Sequence, residues 1–130
     1  MVFSSYAVAA AAILGAAAGA AAARVQQGRG TPKAYIVTEV EITGDRETYQ
    51  RDYAAHAAAT VEPFGGHYLA RGGRVLGTEG APPKARVVIS EFPSFEAAKE
   101  WRYSPAYTKI VTVRLRESSS RQYIVEGPAE

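Results

Sequence analysis

The sequence predicts an α+β fold, an antiparallel sheet with helices on one of its faces, in the order β-α-β followed by β-α-β. Three observations carry it. Residues from Lys33 to Ile42 alternate in polarity with a period of two. A strand from Arg86 to Phe92, built on the apolar run Val87-Val88-Ile89, is followed by two helix starts, at Ser94 and at Ser104-Pro105. A short alternating segment from Arg121 to Glu126 closes the chain before Gly127-Pro128.

In the first strand Ile36, Thr38, Val40 and Ile42 share one face, and Tyr35, Val37, Glu39 and Glu41 the other. Gly44 and Asp45 end it, and Asp45 is a good N-cap. Tyr49, Tyr53, His56, Thr60 and Phe64 then recur at spacings of three and four, which makes an amphipathic helix stopped by Pro63 and Gly65-Gly66. His67 to Arg71 is a second strand. Val75 to Glu79 is read as a small hairpin arm, and Gly80-Ala81-Pro82-Pro83 as a loop. The third strand holds Val87-Val88-Ile89 in succession, the pattern of a strand covered on both faces. Ser94 caps a helix through Arg102 that places Phe95, Ala98 and Trp101 on one face. Ser104 at the N-cap with Pro105 at the first helical position starts another, which carries Tyr107, Ile110, Val111, Val113 and Leu115 until Ser118-Ser119-Ser120 breaks it.

This order is the ferredoxin-like, split β-α-β plan, in which the first and third strands are the central pair. Its helices cover one sheet face. In a chain of this length only a second copy is left to cover the other, which presents Tyr35, Val37, Leu69, Val87 and Ile89, so the sequence predicts a homodimer with two sheets facing each other.

Composition narrows the function classes. The net charge is +2 with basic and acidic residues interspersed, so the clustered cations of a nucleic-acid interface are missing and no nucleic-acid partner is expected. There are no cysteines, which excludes disulfides, thiolate-held zinc and thiol catalysis. Residues 1–23 form an apolar alanine-rich leader, 24–32 a linker, and 33–128 the folded domain. The leader has the length of a signal peptide or a membrane anchor, with an Ala21-Ala22-Ala23 site for cleavage before Arg24, but its start carries no Lys or Arg and its centre has only Ile13 and Leu14 as strongly apolar residues. Three readings stand: a cleaved leader and a periplasmic or secreted protein, an uncleaved anchor with the domain in the cytoplasm, or a disordered or helical extension. Contact with a membrane is expected only if the leader is uncleaved.

Five motifs in order give the folded part a likeness. They are K-A-Y at Lys33–Tyr35, G-G-H-Y-L-A-R-G-G at Gly65–Gly73, V-V-I-S-E-F-P-S-F-E-A-A at Val87–Ala98, W-x-x-S-P-x-Y at Trp101–Tyr107, and V-E-G at Val125–Gly127. Together they resemble the family called domain of unknown function 1330, within the dimeric α/β-barrel superfamily. The resemblance implies a ferredoxin-like protomer and a dimeric barrel; it implies no substrate and no catalytic residues. The family usually has an acid just before S-P, where this chain has Tyr103.

Candidate site residues follow from placement. Glu39 and Glu91 fall on the same face as Val37 and Ile89 of the two central strands, and carboxylates set side by side in a partly enclosed cavity repel, a device that makes a general acid or base. His67 and Arg71 on the second strand extend this group; the competing reading is a structural ion-pair network. Tyr35, Tyr53, Tyr103 and Tyr107, with Arg71, are the candidate ligand-binding residues, set against a reading of Tyr107 and Trp101 as core. Neither His-x-His nor Glu-x-x-His spacing occurs, and no metal or cofactor is expected. The resulting function is a small dimeric barrel that binds or converts a small organic molecule, by proton transfer on Glu39, Glu91 or His67 if it is an enzyme. A non-catalytic exported interaction module is the alternative, and a haem or oxygen-dependent monooxygenase a third.

Overall fold

The computed structural model describes residues 30–129; the expected leader and most of the linker lie outside them. Pro32–Pro128 form one folded unit. Its strands are β1 (Ala34–Ile42), β2 (His67–Arg71), β3 (Arg86–Phe92) and β4 (Ser118–Glu126). They make one antiparallel sheet in the order β2-β3-β1-β4, with β1 and β3 central.

The connection from β1 to β2 is a single helical stretch of changing pitch. It starts as α1 (Arg46–Tyr49), widens to a π-type turn over Gln50–Ala54, continues as α2 (Ala55–Val61) and tightens to a 3₁₀ turn over Glu62–Phe64. Asp45 caps its start by accepting from the Thr48 amide at 2.6 Å. Gly65, at φ 75°, reverses the chain in a conformation that glycine adopts without strain. From β3 to β4 run α3 (Phe95–Arg102) and α4 (Pro105–Glu117), each capped by the expected serine: Ser94 accepts from the Ala97 amide at 3.0 Å, and Ser104 from the Tyr107 amide at 3.3 Å.

The core lies between these helices and one sheet face. Ala34, Ile36 and Val40 of β1 and Phe92 of β3 meet Tyr49, Val61, Trp101, Tyr107 and Val111 from the helices. The Trp101 ring packs tilted against Tyr107, with ring centres 4.0 Å apart, and donates its indole N–H to Thr60 Oγ1 at 3.0 Å, so its one polar atom is satisfied where its ring is buried.

Three features differ from the sequence expectations. The serine run does not break the chain before the last strand; Ser118, Ser119 and Ser120 pair with Ile42, Glu41 and Val40, so β4 starts three residues earlier than expected. No strand forms at Val75–Glu79, which is irregular and exposed. Finally, β2 carries a bulge: His67 and Tyr68 pair with Glu91 and Ser90, then Ala70 and Arg71 pair with Ile89 and Val88, leaving Leu69 as the extra residue. Because side chains alternate, one inserted residue reverses every face after it. His67 stays on the open face, while Arg71 turns to the helix side and leaves the group it was expected to join.

Candidate functional site

The open face of the sheet holds two separate charged groups. Register places Tyr35 opposite Glu91, Val37 opposite Ile89, and Glu39 opposite Val87. Glu39 and Glu91 therefore share a face but sit four residues apart along it, about 13 Å at strand spacing, too far to act as a pair.

At one end, Glu39 is 4% exposed. It accepts from Arg121 Nε at 2.5 Å and from the Lys84 amide at 2.9 Å. The Arg121 hydrogen bond, aided by the Lys84 amide, holds the carboxyl below its ordinary range, so Glu39 is a fixed anion. Arg121 is positioned by β4, where it stands directly opposite Glu39. At the other end, Glu91 lies 3.4 Å from both His67 Nε2 and Lys33 Nζ. His67 is its cross-strand neighbour. Tyr35 flanks this end, its ring lying against Gly127.

Between and beside these groups the open face forms a concavity of about 560 Å³. Its floor is Val37, Val87, Ile89 and Ala70, with Tyr123 on one side and the chain from Gly73 to Pro83 on the other, and the Glu39–Arg121 pair lies in its wall. Glu91 and His67 are outside its lining.

On the helix side lie the remaining candidates. Tyr53 and Tyr107 join hydroxyls at 2.8 Å in the core, and burial, with the neighbouring Tyr107 next, pushes the Tyr53 hydroxyl far above its ordinary range. Arg71 Nη2 donates to the Ala54 carbonyl at 2.9 Å and its guanidinium lies 4.5 Å from the centre of the Tyr68 ring, so it straps β2 to the π-type turn. Beneath it is a cavity of about 30 Å³ lined by Tyr49, Tyr53, Arg86 and Gln122 among others, a size for water and not for an organic molecule. Tyr103 is exposed at the end of α3.

Four arginines have no role in the sequence reading: Arg121, which holds Glu39, Arg86, which lines the small cavity, and Arg102 and Arg114, which line a groove beside β4. Arg114 had a readable signal, since it follows Tyr107 and Val111 at helical spacing on the buried stripe of α4. Arg121 had none, because its pairing with Glu39 depends on strand register. Among the described residues no group of three His, Asp or Glu side chains is gathered to hold a metal, and no helix is long and apolar enough to cross a membrane.

Four antiparallel strands in the order β2-β3-β1-β4, with the β1–β2 and β3–β4 connections helical and on one face, define a ferredoxin-like α+β protein. Residues 33–128 match the family described as Domain of unknown function (DUF1330), and the chain belongs to that family. Among solved structures, RPA0582 from Rhodopseudomonas palustris, a protein of unknown function, is similar with a TM-score of 0.57 at 20% identity, over 82% of this chain and 92% of that one. SnoaB from Streptomyces nogalater, a cofactor-independent oxygenase, is similar with a TM-score of 0.54 at 13% identity, over 77% of this chain and 97% of that one. A hypothetical protein of Arabidopsis thaliana is similar at 0.51 and 18% identity, over 78% and 90%. At these identities the likeness is one of fold. No curated protein matches the chain.

Proposed function

We propose that the protein is a homodimer that binds a small, largely apolar organic molecule between two open sheet faces. The observation that carries this reading is the concavity of about 560 Å³, which falls within the range of small-molecule sites. Its floor is aliphatic and its wall holds one satisfied ion pair, the combination that buries a ligand's body and orients one polar group. A second sheet would roof it and cover Tyr123 and Val125, each 46% exposed. That SnoaB, of the same fold, is a cofactor-independent oxygenase supports reading this fold as a scaffold for small-molecule chemistry, although a fold hosts many functions.

Binding is better supported than proton transfer. Glu39, the carboxylate in the concavity, is held ionised by Arg121, and the His67–Glu91 pair lies beyond the lining. The test is a fluorescence titration of the full chain with anilinonaphthalene sulfonate, an apolar probe, in the wild type and in Val37→Trp, which fills the floor. Saturable enhancement in the wild type that Val37→Trp abolishes supports the reading. Equal enhancement in both proteins, or none in the wild type, overturns it.

A further inference from the structure

Arg114, like Arg86, has a buried Nε without an acceptor, and it is the more deeply buried of the two. It is only 2% exposed. One terminal nitrogen, Nη1, donates to Ser120 Oγ at 2.5 Å, while Nε is buried with no acceptor. Among the described residues no carboxylate comes within ion-pair distance of it. An arginine stays charged in a protein interior, and a buried cation without a counter-charge is costly. Tyr53, whose ring centre is 5.8 Å from the guanidinium, gives only its π face, because burial keeps its hydroxyl neutral.

A second cation points to the same place. Arg102 lies 5.5 Å from the ring centres of both Tyr103 and Tyr107, and it too has no carboxylate partner among the described residues. Arg102 and Arg114 line one groove of about 350 Å³ along the outer edge of β4, and no acidic side chain lines it. Its other walls include Leu115, Tyr123 and Ile124, with Tyr103 at the rim. Two guanidiniums without anions, set in a cleft that adds the polar side chains of Ser120 and Gln122 to the apolar ones of Leu115 and Ile124, ask for a ligand with one negative end and a small apolar body. The fork of a guanidinium matches the two oxygens of a carboxylate.

We propose that this groove is a binding site for a small organic carboxylate, its charged end seated on Arg114 and Arg102 and its apolar body against Leu115 and Ile124. The groove shares Tyr123 with the open-face concavity, but Arg114, Arg102, Leu115 and Ile124 lie outside that concavity's lining, so the proposal does not depend on the reading given to it.

The experiment follows the arginine Nε–Hε resonances of the ¹⁵N-labelled full chain during titration with benzoate, with benzamide as its neutral isostere and inorganic phosphate as a compact anion. Benzoate is expected to move the Arg114 and Arg102 resonances saturably, and benzamide to leave them in place. Arg102→Gln should weaken benzoate by about tenfold or more, the loss of a hydrogen bond to a charged group. Because Arg102 is less buried than Arg114, this variant tests the site even if Arg114→Lys fails to fold. The proposal is overturned if benzoate gives no saturable shift, if benzamide matches it, if phosphate binds as well as benzoate, or if Arg102→Gln leaves the affinity unchanged.

Discussion

Tyr53 and Tyr107 join their hydroxyls at 2.8 Å in the middle of the protein, 54 residues apart in the chain. Each is the only hydrogen-bond partner found for the other's hydroxyl among the described residues. The pair ties the π-type turn after α1 to the first turn of α4. Removing one hydroxyl strands the other away from water, so Tyr53→Phe should lower stability by about 1–3 kcal/mol. Removing both leaves nothing unsatisfied. The double variant Tyr53→Phe, Tyr107→Phe should be closer to wild type than either single change, in urea unfolding of the full chain. Additive losses would mean that the hydroxyls act independently.

The turn into β2 depends on a position where a side chain cannot fit. A Cβ on Gly66 would come 2.5 Å from the Phe92 ring and 2.7 Å from Val61 Cγ1, and both neighbours are core residues. Gly66→Ala should cost about 1–3 kcal/mol, the usual effect of overpacking, seen as a lower unfolding midpoint with an unchanged slope against denaturant.

The Glu39–Arg121 pair carries a pH signature with a definite sign. Folding lowers the Glu39 pKa below its ordinary value of 4.5. The stabilisation is therefore complete above that value and is lost as pH falls through the lower, folded one. Wild type should lose stability below pH 4.5 more steeply than Glu39→Gln, and the two profiles should run parallel near neutrality. Parallel profiles across the acid range would show that Arg121 does not hold the carboxylate.

If Arg114 is kept charged for a ligand, it is kept against stability. Arg114→Met preserves much of the side-chain volume and removes the buried charge, so it should raise stability by about 1 kcal/mol or more, as replacement of buried ionic groups by apolar ones often does. The same variant should lose the benzoate response. A marked loss of stability on thermal unfolding would instead assign Arg114 a structural role through Ser120.

Much of the fold was legible because it is written in local signals. Asp45, Ser94 and Ser104-Pro105 start helices where the structure starts them, and the alternation in β1 sorts core from open face correctly. What was not legible depends on pairing between distant strands. The separation of Glu39 from Glu91 is a matter of register, which alternation within one strand cannot reveal. The bulge at Leu69 leaves no mark in composition, yet it moves Arg71 from one side of the sheet to the other. Arg114 was legible in principle and passed over, since a charge within an apolar helical stripe is easily read as an interruption of the stripe and not as a buried cation.

The most direct test of the central claim is the mass of the full chain in solution by light scattering at micromolar concentration, compared with that of Ile89→Lys, which sets a charge in the middle of the open face. The account predicts twice the mass of one chain for wild type and the mass of one chain for a folded Ile89→Lys. A wild-type protein with the mass of a single chain would contradict it.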